Sequence, residues 1–258
     1  MSDLVVHSAW APVYREPNPR AELVSQCLAG ETCAVLEITG DWYHLRRETD
    51  GYTGFSHAGY FSAPEPRRAA DWRSRAVYRA DGAVLRAGSL LVRLPLLARV
   101  ARTGDRWELP DGRVGLLESG EIHSQEILAS RARETNVVRW AVARFSGAPY
   151  LWGGITPWGA DCSGLVQTAF AARGVSLPRD SSRQAEAGAA VELDKTREGD
   201  LLFFTETPGR ITHVAFAGDR DTLVHSTLSC GGFIVERWTA GSRAGFLRNR
   251  FVCARRIE

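Results

Sequence analysis

Residues 150–170 read YLWGGITPWGADCSGLVQTAF and hold the clearest candidate for a nucleophile, Cys162. A Gly-rich, Trp-bearing turn runs into Asp161-Cys162-Ser163-Gly164. Leu165, Val166, Ala169 and Phe170 then recur at helical spacing, and Gly174 and Pro178 supply the stop. Cys162 therefore stands at a helix start, where unpaired N–H groups and the helix dipole favour an anion and lower a thiol's pKa. The opposite reading is a structural cysteine, because free Cys is among the most buried residue types. This stretch alone leaves the two readings level.

A thiol nucleophile needs a base, and the base needs a group that orients it. Of six histidines, His7, His44, His57 and His123 precede the final third of the chain, and His213 and His225 fall within it. His213 opens one strand pattern and His225 ends the next, with Gly218-Asp219-Arg220-Asp221 as the turn between them. Adjacent antiparallel strands could bring the two imidazoles within reach of each other. Cys162, His213, His225 and Cys230 are also good zinc ligands. They lack the short-spaced pairs of structural zinc sites, so no metal and no cofactor are expected. Five cysteines, an odd count without a CxxC pair, fit neither a disulfide framework nor a zinc ribbon.

The elements that must position these groups follow from pattern. Ser124 to Phe145 reads as a helix with Val137, Val138, Ala141, Val142 and Phe145 as its apolar stripe; Arg131, Arg133, Arg139 and Arg144 form its solvated face. After the Cys162 helix, residues 177–184 form a polar loop. Strand candidates follow at Asp200–Phe204, His213–Ala217, Thr222–Ser226, Phe233–Arg237 and Arg250–Ile257. Helices followed by consecutive short strands predict an α+β domain, over 126–258, with helices packed on an antiparallel sheet.

Upstream, residues 1–62 predict a small all-β unit, with strands at Leu4–Val6, Ala11–Tyr14, Cys33–Ile38, Trp42–Leu45 and Gly54–Ser56. Cys33–Ile38 is a near-continuous apolar run and suits a strand covered on both faces. Ala63-Pro64-Glu65-Pro66-Arg67-Arg68 reads as a linker. Residues 73–122 repeat the short-strand style, with turns at Asp81-Gly82, Gly104-Asp105 and Asp111-Gly112. At 258 residues the chain has room for two or three domains. A net charge of +2 without a basic stripe gives no nucleic-acid partner. The apolar stretches are too short or too Arg-interrupted to span a bilayer, and Met1-Ser2-Asp3-Leu4 opens without a basic export segment, so a cytoplasmic protein with no membrane partner is expected. Oligomeric state is not legible.

Two resemblances sharpen this. Leu28-Ala29-Gly30-Glu31, Gly40-Asp41-Trp42 and Gly51-Tyr52-Thr53-Gly54-Phe55 resemble a bacterial Src-homology-3-like barrel, echoed by Gly104-Asp105-Arg106-Trp107 and Asp111-Gly112-Arg113-Val114-Gly115. Pro149-Tyr150, Trp152-Gly153-Gly154, Asp161-Cys162-Ser163-Gly164, Thr212-His213-Val214-Ala215 and Val224-His225-Ser226 resemble an NlpC-type cysteine peptidase. Two barrels before a papain-like domain resemble the dipeptidyl-peptidase branch of that family. The resemblance implies hydrolysis after γ-D-Glu in murein peptides of the form L-Ala-γ-D-Glu-diamino acid, freed for recycling. It implies Cys162 as nucleophile, His213 as base, His225 as its orienting partner, and Tyr150 with the Cys162 N–H at the oxyanion. It implies Trp152, Asp161, Ser163, Asp180 and Ser181 at the substrate pocket. Glu22 (with Glu31 as the alternative) and Tyr52 of the first barrel would reach over the cleft to the substrate's free amine. A papain-like amidase or acyltransferase, and a non-catalytic binding protein, remain as rival readings of the same residues.

Overall fold

The computed structural model describes residues 3–62, 66–239 and 241–258. The chain forms two compact units, dividing between Ala129 and Ser130. The first is built almost wholly of strands, because its apolar runs are short and are cut by glycine turns. Strands β1 (Asp3–Val5), β2 (Trp10–Tyr14), β3 (Leu23–Leu28), β4 (Thr32–Thr39), β5 (Trp42–Arg47) and β6 (Thr53–His57) form one antiparallel sheet in the order β1-β4-β5-β6-β2-β3. Leu4, Val13, Cys27, Cys33, Leu45 and Phe61 are at its core.

Two expectations for this sheet are corrected. Strand β4 is not covered on both faces: its first residues are buried, but Leu36 and Ile38 are 41% and 57% exposed. A register shift between Val35 and Glu37 carries the end of the β4–β5 hairpin away from the core. Strand β3 was not expected, because Ser25 and Gln26 interrupt its apolar pattern. Both are buried, and Ser25 Oγ accepts from the Arg47 guanidinium at 3.1 Å, so the polar atom is satisfied inside.

The linker reading is partly corrected as well. Residues 63–65 lie outside the described residues, but Pro66–Arg75 is helix α1. Proline at the first helical position has no N–H to leave unpaired. Ala69 and Trp72 of α1, with Ala76 just beyond its end, pack against Val5 and Ala101, and Trp72 Nε1–H donates to the Gly30 carbonyl at 2.9 Å. Strands β7 (Tyr78–Ala87), β8 (Leu90–Arg93), β9 (Arg99–Thr103), β10 (Arg106–Glu108) and β11 (Val114–Ser124) make a second antiparallel sheet, closed by pairing of β11 with β7. Asp81-Gly82 is not a turn but a bend inside β7. Gly82 (φ 65°) faces the irregular stretch of β11 at Gly120, where a Cβ would lie 2.2 Å from the Gly82 carbonyl oxygen.

The helix expected over 124–145 is two helices. Helix α2 (Gln125–Arg133) spans the division between the units, and α3 (Val137–Phe145) starts at an Asn136 cap whose side chain accepts from the Val138 N–H at 2.7 Å. A small hairpin, β12 (Ile155–Thr156) and β13 (Gly159–Ala160), leads into α4 (Cys162–Ala172) and the short α5 (Ser181–Gln184). Then come β14 (Ala189–Val191), β15 (Leu201–Phe204), β16 (His213–Ala217), β17 (Thr222–Thr227), β18 (Gly232–Arg237), α6 (Arg243–Arg248) and β19 (Phe251–Arg256). The sheet runs β14-β19-β15-β16-β17-β18, antiparallel throughout, and α4 lies against β16 and β17. This is the expected α+β architecture of helices on an antiparallel sheet. Among the described residues no helix is long and apolar enough to cross a membrane.

Candidate active site

Cys162 is the first residue of α4, and Asp161 is its N-cap. The Asp161 carboxylate accepts from the Gly164 N–H at 2.7 Å and the Gly153 N–H at 2.9 Å, so it ties the helix start to the glycine-rich turn before it. Gly164 has to be glycine: a Cβ there would lie 2.0 Å from the Gly154 carbonyl oxygen. From the sheet side, Ser226 Oγ donates to the Ala160 carbonyl at 2.6 Å. The nucleophile is thus held on a turn braced by backbone contacts on both sides.

Beneath it lies a charge pair that sequence reading missed. The Arg179 guanidinium is buried, pairs with the Asp161 carboxylate, and donates to Ser163 Oγ at 2.7 Å. Ser163 Oγ in turn donates to Asp161 Oδ1 at 3.1 Å. Gln184 Nε2 donates to the Ser163 carbonyl at 3.0 Å and to the Pro178 carbonyl at 2.9 Å, which fixes the 177–184 loop on α4. The polar atoms of Asp161 and Ser163 therefore shape the site from behind. The only sequence signal for Arg179 was a cation beside a proline in a polar loop.

The histidines come from the sheet. Extending the Phe216↔Val224 register places His225 opposite Ala215, so His213 and His225 are diagonal neighbours on one face. His213 Nε2 and His225 Nδ1 are 2.8 Å apart, and both rings are buried. His213 Nδ1 is the nitrogen left to serve Cys162, whose sulfur receives the Val214 and Ser163 N–H groups. A further member, also missed in sequence, is Glu236 of β18, with Oε1 3.1 Å from His225 Nε2. Its sequence signal was period-2 spacing in a strand, which becomes meaningful only once the β17–β18 register is known.

The protonation state departs from expectation. Burial, then the Asp161 charge, pushes the Cys162 thiol up to about 12. The helix N-terminus is worth about 0.3–1 kcal/mol, less than one pKa unit, whereas full burial moves a group by up to about 3–5 units. Burial wins, and the resting side chain is a thiol. Burial, the His225 neighbour and the Arg243 charge hold His213 well below the ordinary histidine value of 6.5. The pair rests as thiol and neutral imidazole. The base is competent above the His213 pKa and lost below it. Cys162-dependent turnover should therefore persist below pH 6.5, with no thiol titration between about pH 7 and 10. A kcat/KM profile whose acid limb falls at or above pH 6.5 would contradict this.

Tyr150 enters from the segment that pairs with the start of β18, where its N–H donates to the Gly231 carbonyl at 2.9 Å. Gly232 permits that approach, since a Cβ would lie 2.2 Å from the Ala148 carbonyl oxygen. Burial, then the negative charge of Asp161 and that of Cys162 once ionised, pushes the Tyr150 hydroxyl far up, so it stays an O–H donor. With the Cys162 N–H, which has no acceptor in the first turn of its helix, it can serve a developing oxyanion. Tyr150→Phe should lower kcat by about 10²–10³-fold with little change in KM, measured by steady-state kinetics on peptide.

The other expected site residues divide between the units. Trp152 is 57% exposed on the turn before α4, Asp180 is exposed at the start of α5 without a side-chain capping bond, and Ser181 is half-buried beside it. In the first unit, Glu22 is exposed on the β2–β3 hairpin and pairs with Arg15; the Tyr52 N–H donates to Asp50 Oδ1 at 3.0 Å. Glu31, the alternative to Glu22, is buried, with its carboxylate bonded to Arg47, Thr49 and the Leu28 N–H. Among the described residues no group of three or more His, Cys, Asp or Glu could hold a metal ion.

The comparisons with known proteins bear on the family and the fold. Residues 147–255 match the NlpC/P60 family, and residues 13–55 match the bacterial dipeptidyl-peptidase Sh3 domain. A γ-D-glutamyl-L-lysine dipeptidyl-peptidase of Bacillus subtilis is 31% identical over 223 residues, which cover 78% of this chain and 71% of that protein. Dipeptidyl-peptidase 6 of Lysinibacillus sphaericus is 28% identical over 250 residues, covering 87% of each chain. The crystal structure of a Bacillus cereus NlpC/P60 family protein shares the fold, with a TM-score of 0.83, 19% identity and 99% of both chains covered.

Proposed function

The chain belongs to the NlpC/P60 family of cysteine peptidases, and on that premise we propose that it is a dipeptidyl-peptidase of murein peptides. It cuts between γ-D-Glu and the diamino acid and releases L-Ala-γ-D-Glu. The observation that carries this reading is the buried Cys162–His213–His225 arrangement at the start of α4. The names of the Bacillus subtilis and Lysinibacillus sphaericus relatives, and the match of residues 13–55 to a dipeptidyl-peptidase domain, support the substrate class.

In the mechanism, His213 Nδ1 takes the Cys162 proton as the sulfur attacks the γ-carbonyl carbon. The carbonyl oxygen becomes an oxyanion facing the Cys162 N–H and the Tyr150 O–H. Collapse breaks the C–N bond, and His213 returns the proton to the leaving amine of the diamino acid. Water, deprotonated by the same imidazole, then attacks the thioester and frees the dipeptide and the thiol.

A dipeptidyl-peptidase counts two residues from a free amine. On this reading the exposed Asp180 carboxylate meets that amine, and an N-acetyl group removes the charge it needs. Incubation with L-Ala-γ-D-Glu-L-Lys and with its N-acetyl form, followed by mass spectrometry, tests the proposal. Cleavage of the free peptide alone is expected; equal cleavage of both removes the free-amine requirement, and cleavage of neither sinks the substrate. Parallel kinetics with the diaminopimelate peptide decides the preferred diamino acid. An enzyme restricted to free-amine peptides acts on released fragments, which is a recycling role. Cell fractionation, with the activity expected in the cytoplasm, tests the compartment.

A further inference from the structure

The hydrogen bond that joins His213 to His225 continues past His225 to Glu236. We propose that Glu236 is a positioning residue for the catalytic pair: its carboxylate fixes the tautomers of His225 and His213 and so presents the basic nitrogen of His213 to Cys162. This deepens the cysteine-peptidase reading and rests on it.

The β17–β18 register pairs His225 with Ile234, so Glu236 lies on the same face of the sheet, diagonal to His225. His225 is fully buried, and Glu236 Oε1 is 3.1 Å from its Nε2. A carboxylate oxygen only accepts, so His225 Nε2 must carry the proton. His225 Nδ1 then holds a lone pair, and the 2.8 Å contact with His213 requires that His213 Nε2 be the donor. His213 Nδ1 is left with the free lone pair, and the Val214 N–H bonded to the Cys162 sulfur sets the thiol beside this residue. The contact between the two rings is satisfied equally well with the proton reversed. In that arrangement His213 would direct an N–H at Cys162 and could not act as a base. Which nitrogen of a histidine is protonated is set by the partner of the other nitrogen, and here the last partner in line is Glu236.

The carboxylate also answers the charge that forms in the reaction. When His213 accepts the thiol proton, a cation appears in a buried site. The charged and titratable groups facing the pair are Cys162 on α4, Arg243 at the start of α6, the Glu206 partner of Arg243, and Glu236 on β18. Arg243 opposes the imidazolium, and Glu236 favours it through His225. No proton passes to Glu236 in this scheme; the proton that leaves Cys162 ends on the leaving amine.

Glu236→Gln keeps the shape but removes the charge and, because an amide both donates and accepts, frees both tautomers. It is expected to lower kcat about 10–100-fold on the murein tripeptide while KM stays within twofold. Iodoacetamide labelling of Cys162, followed on its own tryptic peptide, should slow in parallel. Its acid limb should move to lower pH, since loss of a negative charge disfavours the imidazolium. A merely structural role predicts the opposite shift, because loosening the strand contact lets water in and returns His213 toward 6.5. Glu236→Asp, which keeps the accept-only oxygens, should hold kcat within about fivefold. Nitrogen NMR of the unaltered protein reads the tautomers directly and should find Nε2–H on both rings. An Nδ1–H on His213, an upward acid limb, or unchanged kcat in Glu236→Gln each overturns the proposal. The labelling and NMR measurements need no substrate, so a failed tripeptide assay would sink the substrate reading without deciding this one.

Discussion

Cys162→Ala is expected to abolish hydrolysis, with kcat lower by about five to six orders of magnitude, or about 7–8 kcal/mol of transition-state stabilisation. The size follows from covalency: without the sulfur there is no thioester, and the remaining oxyanion donors can only assist water. His213→Ala should cost nearly as much. The thiol rests protonated, pushed up to about 12, and cannot attack until a base removes its proton. The two residues act as one unit, so the double variant should be no slower than the worse single one. Single-turnover assays on the free-amine tripeptide, with iodoacetamide labelling to confirm which cysteine reacts, measure this. A His213→Ala enzyme that keeps a tenth of wild-type kcat would show that Cys162 is already a thiolate, and the mechanism would need a different proton path.

Asp161→Asn should destabilise the second unit by about 3–5 kcal/mol. Asparagine caps a helix about as well as aspartate, so the Gly164 N–H keeps its acceptor and the cap is not what is lost. The loss comes from the Arg179 guanidinium, which is 3% exposed and retains its charge with its ionic partner removed. Arg179→Met errs less, because the Asp161 carboxylate keeps three donors from Gly153, Gly164 and Ser163. The double variant Asp161→Asn with Arg179→Met should recover much of the loss, since replacing both buried charges is often neutral. Urea unfolding of the four proteins gives the cycle. Activity should follow the same order, because Cys162 is the next residue after Asp161 and its sulfur must stay within reach of His213. If Asp161→Asn unfolds at the wild-type urea concentration, the buried pair is not what holds the nucleophile's turn.

The amino-acid sequence by itself determined the local pieces. The α4 start at Cys162, the β16 strand at His213–Ala217 and the turn before β17 follow from periodicity and from glycine and aspartate turns, which are properties of neighbours along the chain. The roles of Cys162, His213 and His225 as nucleophile, base and orienting group came instead from the resemblance to NlpC-type peptidases. Tertiary structure decided what depends on distant segments. Arg179 meets Asp161 only because the 177–184 loop folds back on α4, and Glu236 meets His225 only in the β17–β18 register. The strand through Ser25 was not legible because the buried Arg47 guanidinium that satisfies its hydroxyl comes from another strand. The charge state of Cys162 was misjudged on the same grounds. A helix dipole can be read from a few consecutive residues, but desolvation is the sum over everything packed around the sulfur, and it is the larger effect.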